Sequence, residues 1–186
     1  MKRFMVLGLV CVLAVAALGL AGCGNTGAAK EQMETADAAY TAVQKDLETL
    51  NATLTTVLGG AATGDFSKLT PEVIAGAQAT IKKAQEALPK VAEEYKAISD
   101  MSGVADYVTY ADKMVGTIDE DLGALLQGKS IVEALAPLAT AGDTAGIAAW
   151  FQQNTALLTD AQEAGSNATK SYEEAQAYKT EKGLAE

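Results

Sequence analysis

Apolar residues recur at every third or fourth position in long stretches of this sequence, and that spacing restricts the fold more than any other feature. Such a period places apolar side chains along one face of an α-helix. No stretch alternates apolar and polar residues in the way that a half-buried strand does. The sequence therefore predicts an all-α protein, with helices at about residues 31–58, 71–101, 104–127, 131–139 and 143–181.

Glycines, N-cap residues and a capping box set the predicted ends of these helices. Four long helices joined by short connections predict an elongated up-down-up-down four-helix bundle, with the segment at 131–139 as one short extra helix. The tetrapeptide Ala-Gln-Glu-Ala recurs at 84–87 and 161–164. An origin of the bundle by internal duplication of a helical hairpin is therefore an alternative that the sequence leaves undecided. The end signals are Gly59-Gly60, Thr70-Pro71, Gly128, Ser130 with Glu133, and Gly142-Asp143.

The N-terminus has the three parts of an export signal. Lys2 and Arg3 are positive, an uncharged apolar run follows, and small residues precede Cys23. The motif Leu-Ala-Gly-Cys at 20–23 resembles the lipobox of bacterial lipoproteins, in which the cysteine receives a diacylglycerol before the signal is cleaved. The resemblance covers only these first residues and implies cleavage between Gly22 and Cys23, with the lipid on Cys23. An uncleaved transmembrane helix is the alternative, because the apolar run is long enough to span a bilayer.

This resemblance divides the chain into a signal peptide at 1–22, a lipidated flexible tether at 23–30 and a helical bundle at 31–182. The lipid is expected to hold the mature chain on a membrane, because two acyl chains anchor a protein stably where one does not. Gly24 follows the cysteine, in place of the aspartate that retains many such lipoproteins at the inner membrane. We therefore expect the periplasmic side of the outer membrane in a cell with two membranes. In a cell with one membrane, we expect the outer face of the plasma membrane.

The charge balance argues against a nucleic-acid partner. The chain has 14 lysines and arginines against 24 aspartates and glutamates, and its net charge is −10. Such a surface repels phosphate backbones and anionic lipid headgroups. Cys11 would leave with the signal and Cys23 would carry the lipid, so no disulfide is expected.

The residue inventory excludes several chemistries. The chain has no histidine, which removes His-assisted nucleophiles, the di-iron signature of ferritin-like bundles and ordinary zinc sites. Carboxylates remain in an Asp-Glu-Asp run at 119–121 and in Glu-Glu pairs at 93–94 and 173–174. Neighbours on a helix point in different directions, so these groups are predicted to lie in solvent and not to converge on a metal. We expect no catalytic residue, no metal and no cofactor.

Two irregularities in the predicted helices mark a possible place for a ligand. Pro89 interrupts the second helix, and the stretch that begins at Gly165 in the last helix is a weak helix former. A kink at Pro89 that faces the small side chains after Gly165 either leaves a pocket in the bundle or lets the two helices approach closely, and we favour close approach. Asn154, a polar residue on an apolar face, either contacts a ligand or fixes the helix register.

Trp150 lies beside Phe151, one position off the apolar face of the last helix. It either closes the end of the bundle, which we favour, or serves as an anchor for a partner protein. Tyr107 and Tyr110 lie beside the apolar face of the third helix and are interpreted in the same way.

The sequence thus favours a lipid-anchored, non-catalytic protein of the cell envelope, a helical interaction or structural module whose partner is another envelope protein. The alternative is a small-ligand-binding helical bundle, with an apolar or cationic compound held in a pocket near Pro89 and Gly165. A cavity along the bundle distinguishes the two roles, because ligand binding requires one.

Overall fold

The computed structural model describes residues 24–184, which fold into helices without a strand. The all-α prediction is therefore confirmed for this part of the chain. Cys23 and the predicted signal peptide at 1–22 lie outside the described residues. None of the described helices is both long and apolar enough to cross a bilayer. The five helices are α1 (Gly24–Thr63), α2 (Pro71–Ser99), α3 (Ala105–Ala141), α4 (Thr144–Gln153) and α5 (Thr155–Glu181).

Three helix pairs build the bundle. Helix α1 packs along α2, α2 along α3 and α3 along α5, while the short α4 rests on α3. The backbones of α1 and α5 do not pack closely on each other. Long side chains bridge them instead, in the pairs Asp37–Lys179 and Tyr40–Tyr172. The result is a helical bundle with one loosely closed side.

Helix α1 begins earlier than the sequence predicts. Residues 24–30, expected to be a flexible tether, form its first turns. Ala29 is fully buried, and the side-chain amide of Asn25 donates a hydrogen bond of 2.7 Å to the carbonyl oxygen of Ser102, between α2 and α3. The tether prediction is wrong for these residues, because burial of Ala29 and Met33 extends the helix toward the N-terminus.

Helix α1 also ends later than the predicted stop at Gly59-Gly60. It continues to Thr63, and Gly64 follows in the left-handed conformation with a φ of 74°. Gly60 has another purpose, because a Cβ there would collide with the carbonyl oxygen of Asp65 in the returning loop. The glycine allows this close approach, in which the Asp65 N–H donates to the Gly60 carbonyl at 2.8 Å.

Helix α3 is continuous over 37 residues, so the predicted break at Gly128 and the separate helix at 131–139 are wrong. Gly128 is buried, and a Cβ built on it would lie 3.8 Å from Cδ1 of Leu54 in α1. An added Cβ would make an ordinary van der Waals contact at this distance, so Gly128 is a buried helical residue and not a helix stop. Ser130 donates to the carbonyl one turn earlier, at 3.1 Å, and does not begin a new helix. Gly142, with a φ of 65°, provides the actual end.

The predicted last helix at 143–181 is divided into α4 and α5 at Asn154. The φ of −114° and ψ of 27° of this residue are not helical, and its side-chain amide donates to the Trp150 carbonyl at 2.8 Å. Asparagine side chains compete for backbone hydrogen bonds in this way, which favours a helix end. At the break, Phe151 of α4 stacks on Phe66, with 6.1 Å between the ring centroids.

The predicted start of α2 is confirmed. The Thr70 hydroxyl accepts a hydrogen bond from the Val73 N–H at 3.3 Å, and Pro71 is the first helical residue. The buried side chains of residues 24–184 form one continuous core. A segment with its own core has the property expected of an independently folding domain.

Candidate functional site

A part-buried carboxylate joins the four long helices. Asp37 of α1 accepts hydrogen bonds from the hydroxyls of Tyr95 in α2, at 2.5 Å, and of Tyr110 in α3, at 2.7 Å. The Nζ of Lys179 in α5 lies 2.6 Å from its other oxygen. The side-chain amide of Gln176 donates to the Tyr110 hydroxyl at 3.1 Å. We call these five residues the Asp37 cluster.

In the Asp37 cluster, the negative charge of Asp37 is balanced by a lysine and by hydrogen-bond donors from other helices. Tyr95 and Tyr110 are fully buried. Their burial, together with the nearby Asp37 carboxylate, raises both pKa values, so the phenols remain neutral donors. Asp37 receives three donors, one of them a cation, which stabilises its charge. The prediction that Tyr110 lies beside the apolar face of the third helix is wrong, because this side chain is in the core.

Between the Asp37 cluster and α4, the bundle contains a cavity of about 850 Å³. Side chains from α1, α2, α3 and α5 form its walls, and Phe151 of α4 also lines it. Its volume falls in the range of small-molecule sites, about 300–1,000 Å³. The apolar walls include Leu50, Leu54, Ile74, Leu125, Leu135 and Leu158.

The cavity opens between α1 and α5. Every exposed residue among those that line it belongs to one of these two helices. The gap between their backbones therefore forms the mouth. Its rim consists of Glu48, Asn51, Thr55 and Gly59 on α1, and Gln162, Ser166 and Thr169 on α5.

Small residues of α5 create the space. Ala161, Gly165 and Ala168 follow a helical spacing and all line the cavity. No atom lies within 4 Å of a Cβ built on Gly165. The expected close helix approach is therefore wrong at this position, where the glycine leaves a void. Pro89, the other residue of the predicted pocket, is exposed and does not line the cavity.

The end of the cavity nearest the Asp37 cluster, which we call the floor, carries a hydrogen-bonded pair. The Tyr40 hydroxyl donates to Oδ2 of Asp121 at 2.7 Å. The ring of Tyr172 lies 5.4 Å from that of Tyr40, centroid to centroid. Desolvation by burial raises the pKa of Asp121 to about 6, against the lowering effect of the Tyr40 hydrogen bond. The floor thus combines one carboxylate with two aromatic rings.

The other predicted acidic groups lie apart from the cavity. Residues 119–120 and 173–174 are exposed, as predicted, whereas Asp121 is turned inward and the solvated assignment is wrong for it. Glu94 is half-buried, and burial raises its pKa. Within residues 24–184, no three acidic or thiol groups come together in a way that could hold a metal ion.

The two predicted partner or ligand contacts lie in and next to α4. Trp150 is half-buried and meets the ring of Phe151 edge-on at 5.3 Å, which agrees with closure of the bundle end. Asn154 forms the junction of α4 and α5. Neither Trp150 nor Asn154 lines the cavity.

No family model, curated protein or solved structure matches this chain. Its fold and site define a class by geometry, an all-α bundle with an internal apolar cavity and a carboxylate on the cavity floor. Such a site can enclose an apolar molecule and can balance a cation. The sequence did contain one signal for the buried carboxylates. Tyr40 and Tyr95 occupy apolar-face positions, and a buried tyrosine hydroxyl needs a hydrogen-bond partner.

Proposed function

We propose that this chain is a lipid-anchored, non-catalytic protein of the bacterial cell envelope that binds an apolar small molecule inside its helical bundle. The lipobox-like motif at 20–23 supports the anchor, and the cavity supports ligand binding. Ligand binding gains support over display to a protein partner, because a cavity of ligand size lies along the bundle, whereas Trp150, the candidate anchor for a partner, is half-buried at the end of the bundle.

The observation that carries the proposal is the cavity of about 850 Å³. Protein interiors are close-packed and contain few voids larger than a water molecule. The walls of this cavity are mostly apolar and are reached by solvent through its mouth, so a ligand that displaced water from them would remove apolar surface from water. The mouth between α1 and α5 gives such a ligand a route from solvent.

The proposal includes an up-down-up-down order of the four long helices, with α4 as the short extra helix. One contact supports this order at each end of the bundle. Asn25 of α1 meets Ser102, which follows α2, and Phe66, which follows α1, meets Phe151 of α4.

The proposed anchor also has a geometric consequence for the cavity. A lipid on Cys23 would be attached directly before α1, which begins at Gly24. Tyr40 on the cavity floor would then lie roughly 24 Å along α1 from the anchor, at a rise of 1.5 Å per residue. We therefore propose that the ligand enters from the aqueous compartment of the envelope and not from the bilayer.

Ligand binding is tested with N-phenyl-1-naphthylamine, a neutral dye that fluoresces in apolar surroundings. The chain from Gly24 onward is titrated without detergent, which would compete for the cavity. We expect saturable fluorescence for the wild type and weaker dye binding in Gly165→Leu, because the new side chain occupies part of the cavity and narrows it.

The matched control is Gly123→Leu. Gly123 is an exposed glycine of α3 at which an added Cβ also meets no atom, and it does not line the cavity. This control is expected to bind the dye as the wild type does. Equal binding by the two variants, or no saturable binding by the wild type, would contradict the ligand-binding role.

The anchor is tested by the intact mass of the membrane-extracted protein beside a Cys23→Ser variant. We expect the wild-type mass to lack residues 1–22 and to include acyl groups, and the variant to remain uncleaved or to be released from the membrane. Persistence of the unmodified full-length chain would instead indicate a transmembrane anchor.

A further inference from the structure

Asp37 and Asp121 both accept phenol hydrogen bonds from other helices, and they are compensated differently. Asp37 pairs with Lys179 at 2.6 Å and accepts two phenol hydrogen bonds. Asp121 accepts one hydrogen bond, from Tyr40, and no lysine or arginine within residues 24–184 forms an ion pair with it. A carboxylate removed from water without a counterion is costly. Asp121 is therefore a candidate for ligand contact.

The charges that line the cavity have one sign. They are the carboxylates of Asp121 on the floor and of Glu48 at the rim, and none of the described lining residues is a lysine or an arginine. Apolar walls of low dielectric focus this negative field into the cavity. The cavity therefore favours a cationic group and disfavours a carboxylate or a phosphate.

Tyr40 fixes the direction of the Asp121 carboxylate. Its hydroxyl holds Oδ2 at 2.7 Å, while Oδ1 receives no hydrogen bond from the described part of the chain. The ring of Tyr40 is itself held by Tyr172, at 5.4 Å between centroids. An ammonium group at Oδ1 would also lie near these two rings, whose faces attract cations.

We propose that the ligand is an organic amine, whose ammonium group binds the Asp121 carboxylate and whose apolar body lies along the leucine-rich walls toward α4. Tyr40 is a positioning residue that orients the carboxylate. This inference rests on the proposed function, because it names the ligand class of the same cavity. In addition, burial raises the pKa of Asp121 to about 6. Asp121 is thus ionised at neutral pH, and an ammonium partner would offset its desolvation.

The test compares three probes with the same apolar body, octylamine, 1-octanol and octanoate. Each displaces N-phenyl-1-naphthylamine from the chain that begins at Gly24, and the measured quantity is the ratio of amine affinity to alcohol affinity. We expect the wild type to prefer the amine by about 10- to 100-fold, as for a hydrogen bond to a charged group. Octanoate is expected to bind most weakly.

Two variants locate the preference. Asp121→Asn preserves the side-chain shape and an acceptor for Tyr40, and we expect its amine-to-alcohol ratio to fall to about one, because the charge that supplies the preference is gone. Tyr40→Phe keeps the ring and removes the donor, so its ratio should fall between these values. Asp119→Asn is the matched control, an exposed carboxylate of the same helix, and should keep the wild-type ratio.

The outcomes separate the two proposals. If the dye and 1-octanol bind but the amine has no advantage, or if Asp121→Asn keeps the advantage, the amine inference is overturned and the ligand-binding role stands. If neither the dye nor 1-octanol binds the wild type, the ligand-binding role itself fails, and the amine inference fails with it.

Discussion

The bundle has a closed half around Asp37 and an open half around Asp121. In the closed half, side chains from four helices meet, and Lys179 supplies a counterion at 2.6 Å. In the open half, the same type of residue meets one phenol and borders a cavity. The difference teaches that one residue type can be neutralised within the chain at one level of a bundle and be left without a counterion at another, and only the second kind of carboxylate is a candidate for binding a cation.

The side chains of α5 account for much of this difference. At the closed end, the long side chain of Lys179 crosses the gap between α5 and α1. Further along α5, Ala161, Gly165 and Ala168 are too short to cross it. The separation of the two backbones is therefore filled in one half and left empty in the other.

The largest change in the free energy of unfolding is expected when a core leucine of the closed half is truncated, and it is compared with the same change at a leucine beside the cavity. Leu88 is fully buried and does not line the cavity, whereas Leu125 is almost fully buried and borders it. We expect Leu88→Ala to reduce the free energy of unfolding by about 4 kcal/mol. Leu125→Ala should cost about 2 kcal/mol, because a side chain beside a void has fewer contacts to lose. Urea unfolding measures both, and equal losses would show that the two halves are packed alike.

The next effect concerns the Asp37 cluster. Asp37→Ala leaves two buried phenols and the ammonium of Lys179 without their acceptor, and we expect a loss of about 3 kcal/mol in the free energy of unfolding. Asp46→Ala is the matched control on α1, since Asp46 pairs with Lys83 at 2.7 Å on the surface. That exposed pair is worth less than about 1 kcal/mol. Similar losses in the two variants would mean that the Asp37 cluster does not hold the helices together.

Sequence period alone was sufficient to predict the helical class and most of the core, but it misplaced several helix ends. Gly60 and Gly128 resemble helix stops and lie inside helices. Gly60 allows the close approach of a loop carbonyl, whereas Gly128 is buried against a leucine of another helix at ordinary contact distance. Such requirements come from tertiary neighbours, so local sequence rules assign these residues to the wrong role.

The candidate site was predictable in part. Gly165 was recognised from the weak helix-forming stretch around it, and it does line the cavity. Asp121 was assigned to solvent as part of an Asp-Glu-Asp run, because neighbours on a helix point in different directions and do not converge on a metal. Its true position depends on the register of α3 against Tyr40 of α1, and a single sequence contains no direct record of that register.

Removal of the charge at Asp121 is expected to increase the free energy of unfolding, in contrast to the losses expected for the leucine and Asp37 variants. Burial raises its pKa from 3.8 to about 6, so the folded state binds the proton more tightly than the unfolded state does. The contribution of this site to stability therefore falls as pH rises from about 4 to about 6 and stays low above that range. Asp121→Asn removes the buried charge, and we expect it to raise the free energy of unfolding by about 2 kcal/mol at pH 7.

The same variant should give little or no gain at pH 4, where the wild-type carboxyl is protonated in the folded state. Urea unfolding at both pH values measures the difference. Asp119→Asn, at an exposed site, should change stability by less than about 0.5 kcal/mol at either pH. A loss of stability in Asp121→Asn at pH 7 would indicate that the wild-type charge is compensated within the protein.

The smallest effect is the pH dependence of amine binding. With a pKa of about 6, the free carboxylate of Asp121 is about one-tenth ionised at pH 5, so octylamine affinity should fall about tenfold between pH 7 and pH 5, or about 1.4 kcal/mol. Octylamine itself stays protonated across this window, as lysine does. Tyr40 and Tyr172 face the site from α1 and α5, and burial raises their pKa values, so neither phenol ionises in the window.

Asp37 acts on Tyr172 but is paired with Lys179. Glu48 at the rim and Glu120 beside Asp121 are further acidic groups near this site. Both are exposed, so solvent screens their effect on a ligand at the floor. The affinity for 1-octanol should therefore stay constant between pH 7 and pH 5, and Asp121→Asn should bind octylamine equally at both values. A wild-type octylamine affinity that does not change with pH would mean that the ammonium group binds away from Asp121, and the open half would then be an apolar cavity without a charged anchor.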